Sequence, residues 1–342
     1  MLDLVKLPKA HLHVHLEATV RPATLREIAA ANGLTVPDTA QTRFAGFRAF
    51  ADHNSLVRHC LRRPADFTRV AREFCQDEAA NGTAYAEVTF TAAAHGERLG
   101  ELDMPLAAVL DGLAEGQDTS GLHCRVLLDH SRRRPVQRAQ ATLTLARRYA
   151  DRGVVGIGVA GEESYPLRPF AGVFDAAADA GLHLVHHAGE TCGPDSIREA
   201  IGIGRAERLG HGIRALEDPD LVARLRERAI PLEVCPSSNV ALGLVDSLAA
   251  HPLPRLRAAG LTVGVHADIP AVIGTTLAEE YRRVRDTFGY PDTTMAQLAR
   301  ASIDASFAPA ATKTDLHRRI DTWLAGQGKS APTRSSGTRV TR

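Results

Sequence analysis

The run Val154-Val155-Gly156-Ile157-Gly158-Val159 is β-rich. Past a polar turn comes the helical run Ala171–Ala180, then Gly181, then Leu182-His183-Leu184-Val185-His186-His187. A β-rich run, a helical run closed by glycine, and a second β-rich run make one strand–helix–strand unit. Strands joined through a helix run parallel, because a crossover of that length returns the chain to the same end of the sheet.

The unit recurs along the chain. Strand-like runs fall at Ala10–His15, Ala84–Phe90, His123–Leu128, Val154–Val159, Leu182–His187, Glu207–Gly210, Ile230–Val234 and Leu261–His266. Between them lie helical runs such as Pro135–Arg152 and Pro219–Arg228. Alternation repeated eight times predicts a closed parallel (β/α)8 TIM barrel, not an open sheet. Roughly seventy residues separate the first two strands, which is long for one crossover. They are expected to hold extra helices (Thr24–Asn32, Ala45–Leu61, Asp66–Asn81) placed as a lid.

Composition is that of an ordinary globular chain. Its 342 residues carry a net charge of +1, with 44% hydrophobic and 24% charged residues, which excludes disordered and coiled-coil classes. The near-neutral balance supplies no electrostatic basis for a nucleic-acid or membrane partner. Residues 326–342 differ: Lys329, Arg334, Arg339 and Arg342 stand there without an acid. We read residues 1–325 as the barrel and 326–342 as a disordered basic tail. The five cysteines include no C-x-x-C pair, and Met1-Leu2-Asp3-Leu4-Val5-Lys6 lacks the apolar stretch of an export signal. A cytoplasmic protein with free thiols is expected.

In such barrels, chemistry sits at the C-terminal ends of the strands. Here those ends carry His13 and His15, His187, and Asp268 just past the last strand, while His211 follows a short sixth strand. In His13-Val14-His15, positions i and i+2 face one way, so both imidazoles can reach one metal ion. His11-Leu12-His13 offers the same spacing, so this pattern alone leaves two registers open. His187-Ala188-Gly189-Glu190 adds a third imidazole and a carboxylate. His183 shares its face a layer lower, and His186 points toward the helices. Three histidines and one carboxylate suit a catalytic Zn²⁺ with one position left for water.

Several ordered motifs then make the chain resemble the adenosine deaminase family, from about Leu4 to Trp323. They are Leu7-Pro8-Lys9-Ala10-His11-Leu12-His13-Val14-His15-Leu16-Glu17, Ala84-Tyr85-Ala86-Glu87-Val88, Ala160-Gly161-Glu162-Glu163, His187-Ala188-Gly189-Glu190-Thr191, Arg208-Leu209-Gly210-His211-Gly212, Leu232-Glu233-Val234-Cys235-Pro236-Ser237-Ser238-Asn239, and the Asp268 segment. The resemblance sets the register at His13/His15. It implies one Zn²⁺ per chain on His13, His15, His187 and Asp268. It implies that Glu190 protonates a ring nitrogen, that His211 orients the attacking water, and that Asp268 accepts a proton from it. Gly161 would bind another ring nitrogen through its backbone N–H, and Glu17 a sugar hydroxyl. The substrate implied is an adenine-containing nucleoside or a related amino-heterocycle, deaminated with release of ammonia.

Three positions depart from the family pattern. Ile269 replaces a second aspartate that bonds a purine imidazole nitrogen, Ala18 replaces a glycine, and His266 stands where asparagine is common. The metal set is complete while the base-reading set is not. Free adenine, aminodeoxyfutalosine or another ring therefore stand as alternative substrates to adenosine. A non-catalytic nucleoside-binding barrel is the reading from another class, and an aspartate at 269 is expected to raise turnover of adenosine.

Overall fold

The structure, a computed structural model, describes residues 1–36 and 43–326. The basic run 327–342 therefore lies outside the described residues. The first strand, β1 (Lys9–His11), is followed by three helices, α1 (Pro22–Ala31), α2 (Phe47–Cys60) and α3 (Pro64–Ala80), before β2 (Thr83–Phe90). Next come α4 (Ala92–Leu99), α5 (Met104–Ser120), β3 (His123–Ser131), α6 (Val136–Arg148), β4 (Val154–Ala160), α7 (Ala171–Asp179) and β5 (His183–Ala188). The second half runs α8 (Pro194–Gly202), β6 (Arg208–His211), α9 (Pro219–Glu227), β7 (Leu232–Val234), α10 (Pro236–Ala241), α11 (Leu253–Ala258) and β8 (Val263–Val265). Helices α12 (Pro270–Ile273), α13 (Leu277–Phe288), α14 (Asp292–Ala305) and α15 (Ala310–Ala325) complete it.

The eight strands pair in chain order, and every ladder is parallel. This is the expected barrel, with the extra helices α1–α3 between the first two strands. Local signals place the elements. The Asp218 carboxylate accepts from the amides of Asp220 and Leu221, and Pro219 opens α9, so that helix starts where cap and proline dictate. No helix among the described residues is long and apolar enough to cross a membrane. The cysteines are free, and all but Cys192 are buried.

The ring closes at a seam between the first and last strands, and there the strands are shorter than the sequence predicts. The Asp268 amide donates to the His13 carbonyl at 2.9 Å, and the His15 amide to the Asp268 carbonyl at 3.0 Å. Lower down, imidazoles stand in for backbone carbonyls. The Leu12 amide donates to Nδ1 of His266 at 3.2 Å, and the Ala267 amide to Nε2 of His11 at 3.1 Å. The two rings stack 6.1 Å apart at 8°. A ladder satisfied by side chains is no longer a regular strand, which is why β1 and β8 end early. His266 thus belongs to the seam and not to the ligand cluster.

Side-chain alternation sets what faces inward. Along β5, Leu184 and His186 are buried outside the barrel, where His186 packs 4.6 Å from Phe174 and bonds the Gly204 carbonyl. His183, Val185 and His187 take the opposite face. The barrel interior is polar at mid-height. Arg208 lies between Glu233 at 2.6 Å and Glu87 at 2.5 Å, with its guanidinium 3.9 Å over the Phe307 ring. All three charged groups are buried, and their pairing is what makes burial tolerable. A second, smaller apolar cluster sits beside the mouth: Ala18, Phe44, Ala241, Leu242, Ile269, Val272 and Ile273, with Phe50 against it.

Candidate active site

The C-terminal ends of β1, β5 and β8 bring His13, His15, His187 and Asp268 together. Their ligand atoms all lie within 4.8 Å of one another. Two of the rings are held in the tautomer that a metal ligand needs. His13 Nδ1 donates to Glu233 Oε2 at 2.9 Å, and His187 Nδ1 donates to the Val159 carbonyl at 3.1 Å. Each bond turns a lone pair on Nε2 inward. His15 Nε2 then stands 3.1 Å from His187 Nε2. His13 Nε2, 3.5 Å from Asp268 Oδ1, is buried without a hydrogen-bond partner. Nitrogen lone pairs crowded on one carboxylate oxygen fit a divalent cation of borderline softness. Gly210 makes room for this, since a Cβ there would lie 2.6 Å from Cε1 of His13.

A second grouping, His13, His211, Cys235 and Asp268, is also compact. Burial, then Asp268, Glu233 and Glu280, push the Cys235 pKa well above the usual thiol range, and the group sits 3.5 Å from the Glu233 carbonyl.

His211 and Glu190 flank the cluster, with His211 Nε2 3.5 Å from Glu190 Oε1. The Asn239 amide donates to His211 Nδ1 at 3.3 Å, which leaves the ring proton on Nε2. Burial first and His13 second lower the His211 pKa to about 3, so the ring is neutral at neutral pH. Burial first, then the charges of Asp268 and Glu163, raise the Glu190 pKa well above the usual carboxylate range, which favours its protonated form. Both His211 (φ 65°) and Asp268 (φ 59°) occupy the left-handed region. Conformations that cost about 1–3 kcal/mol each cluster at functional sites.

Carboxylates and hydroxyls beneath fix these groups. Glu163 accepts from the amides of Gly189, Glu190 and Thr191 at 2.7–2.8 Å and from Ser196 Oγ at 2.5 Å, locking the turn that carries Glu190. Ser238 Oγ donates to Asp268 Oδ2 at 2.6 Å, leaving Oδ1 toward His13 and His15. Glu233, Glu163, Ser238 and Asn239 all stand in motifs quoted above, yet motif reading assigned them no task. One signal was available: an acid between two apolar strand residues, as in Leu232-Glu233-Val234, must meet a partner inside. Glu233→Gln is expected to weaken metal affinity about 10- to 100-fold, read by competition with a chromogenic chelator, with melting temperature followed in parallel.

His15, His187, Glu190, His211 and Asp268 open into a cavity of about 370 Å³. Gly161 (φ 91°) lines it, as do Asp129, a carboxylate the motifs did not single out, and Phe47 and Phe50 of α2. The extra helix α2 thus forms one wall, in the position expected of a lid. Two named residues lie elsewhere. Glu17 is buried, accepting from the Thr91 amide and His95 Nε2, both at 3.2 Å, and does not line the cavity. Ile269 is fully buried in the apolar cluster with Ala18 and Leu242, and only Leu242 and Phe50 of that group reach the cavity wall.

A (β/α)8 barrel with a three-histidine, one-carboxylate cluster at its C-terminal face defines a class of hydrolases that bind a metal ion. The adenosine deaminase family profile matches residues 8–323. A putative adenosine/adenine deaminase of Streptomyces coelicolor is 37% identical over 94% of this chain and 98% of its own length. An aminodeoxyfutalosine deaminase of Acidothermus cellulolyticus is 38% identical over 80% and 81%. The crystal structure of an adenine deaminase from Arthrobacter aurescens superposes with a TM-score of 0.86 at 32% identity, covering 93% of this chain and 99% of that one. The chain belongs to the adenosine deaminase family. It is a hydrolase acting on carbon–nitrogen bonds, a deaminase of amino-heterocycles.

Proposed function

We propose that residues 1–325 form a zinc-dependent aminohydrolase that takes the amino group from an adenine ring, free or in a nucleoside, or from a related heterocycle. The observation that carries this reading is the meeting of His13, His15, His187 and Asp268 with Glu190 and His211 at one cavity floor. Zinc held by those four ligands would supply a Lewis acid that lowers the pKa of a water toward about 7.

The chain's own groups do the rest. Glu190 donates its proton to the ring nitrogen beside the amino-bearing carbon, which makes that carbon electrophilic. His211, fixed by Asn239, donates from Nε2 to the water oxygen and aims it at the carbon. Asp268, fixed by Ser238, takes the proton the water gives up and passes it toward the departing ammonia. Gly161 presents its backbone to a second ring nitrogen.

A substrate other than adenosine is favoured by Ile269 and by Glu17. The first offers no hydrogen bond to a purine imidazole nitrogen, and the second is engaged by His95 and Thr91 instead of a sugar. Ammonia release from a panel of adenine, adenosine, aminodeoxyfutalosine, pterins and pyrimidines tests the function. Turnover of one of these confirms it. Stoichiometric zinc with no ammonia from any of them would support a binding-only barrel.

Residue 269 does not line the cavity, so Ile269→Asp raises adenosine kcat/KM only where the new carboxylate turns out of the apolar cluster toward the substrate. It also places a carboxylate among Ala18, Phe44 and Leu242. The expected stability loss is about 1–3 kcal/mol, visible as a lower melting temperature at unchanged zinc content.

A further inference from the structure

The cavity wall away from the metal-binding cluster is crowded with arginine. Arg58 of α2, Arg98 of α4, and Arg133 and Arg134 in the turn between β3 and α6 all line it. Two more arginines there are neutralised: Arg48 pairs with Glu162 at 2.6 Å, and Arg138 pairs with Glu97. Arg58, Arg98, Arg133 and Arg134 have no carboxylate within ion-pair distance among the described residues. Arg98 is half-buried and donates from Nη2 to the Leu61 carbonyl at 2.5 Å and to His95 Nδ1 at 3.2 Å. Burial, then Arg62 and Arg58, disfavour its charge. Of the remaining carboxylates on the wall, Asp52 is solvent-exposed and Asp129 lies at the floor, 4.0 Å from His15 Nδ1.

Like charges gathered from separate elements repel one another, and an anion between them offsets that cost. Guanidinium groups match phosphate and carboxylate geometry through paired N–H donors. Arg133 and Arg134 also immediately precede α6, whose N-terminal end favours negative charge. A heterocycle seated on the metal-binding cluster leaves the outer part of the 370 Å³ cavity to whatever the ring carries.

We propose that the native substrate is an amino-heterocycle bearing an anionic substituent, a phosphate or a carboxylate, received by Arg58, Arg98, Arg133 and Arg134. This rests on the deaminase reading above and narrows it to a charged substrate.

The test compares kcat/KM for 5′-AMP, adenosine 5′-carboxylate and adenosine in the wild type, in Arg133→Ala/Arg134→Ala and in Arg58→Ala. One anionic substrate is expected to exceed adenosine about tenfold or more, the scale of charge-assisted hydrogen bonds. That advantage should reside in KM and shrink as salt is added. It should fall about tenfold or more in the variants and return in part with Arg58→Lys. Preference for AMP assigns the site to phosphate, and preference for the carboxylate assigns it to carboxylate. Adenosine equal to or better than both anions, or an anion-to-adenosine ratio unchanged in the variants, overturns the proposal. If no amine releases ammonia, the deaminase reading fails separately, and calorimetric titration with AMP decides this one. Weaker binding in the double variant supports it, and equal or absent binding overturns it.

Discussion

His187→Ala and Asp268→Ala are each expected to leave only trace metal in the purified protein, against about one ion per chain in the wild type. Each removes one of four ligands whose atoms lie within 4.8 Å, and the three donors that remain would hold an ion far less tightly. The loss of turnover should exceed the roughly 10²–10⁴-fold cost of losing a general acid. A folding defect is separated from metal loss by thermal unfolding. A ligand at about 1,000 times its Kd stabilises the native state by about 4 kcal/mol, so chelation should lower the wild-type melting temperature by several degrees. The variants should melt near the chelated wild type and should not respond to chelator. Full metal loading in either variant, or full activity in chelated wild type, would contradict the ligand set.

The second large effect is expected at Glu190. Glu190→Gln should lower kcat about 10²–10⁴-fold while metal content stays at the wild-type level. Glutamine keeps the shape and the backbone bond to Glu163 but has no proton of suitable acidity to give. The pH profile supplies an independent readout. Burial, followed by Asp268 and Glu163, holds the Glu190 pKa well above its ordinary value. The raised pKa favours the protonated, active form, which is lost as pH rises through it. Wild-type kcat/KM should fall on the alkaline side. The residual activity of Glu190→Gln should lack that limb, because glutamine does not titrate. A near-normal kcat in the variant would place the proton donor elsewhere.

The barrel was legible because both of its periods are local. A strand–helix repeat follows from neighbouring residues alone, and alternation within a strand places His13 with His15 and separates His186 from His187. The positions of the candidate metal ligands at strand ends follow from the same logic. The seam was not legible. His11 and His266 are 255 residues apart in sequence, and nothing nearby says that their rings replace backbone acceptors between β1 and β8. Glu17 stands beside the ligand pair in the chain, yet the path from His15 through the following turn buries it behind Thr91 and His95, which line the cavity in its place.

The sequence by itself determined the fold class, the family and the identity of the candidate ligands, since each depends on residue type and short-range spacing. Tertiary structure alone decided which groups meet across the barrel. Glu233 holds the His13 tautomer from 220 residues away, and Glu163 ties down the turn of Glu190 from the turn that follows the neighbouring strand β4. It also decided that Ile269 and Ala18 pack in one cluster with Phe44, and that arginines of α2, α4 and the β3–α6 turn face one cavity. Those pairings depend on strand register and on how helices close over the barrel mouth. Both are set by the summed packing of the whole chain, and no local stretch encodes them.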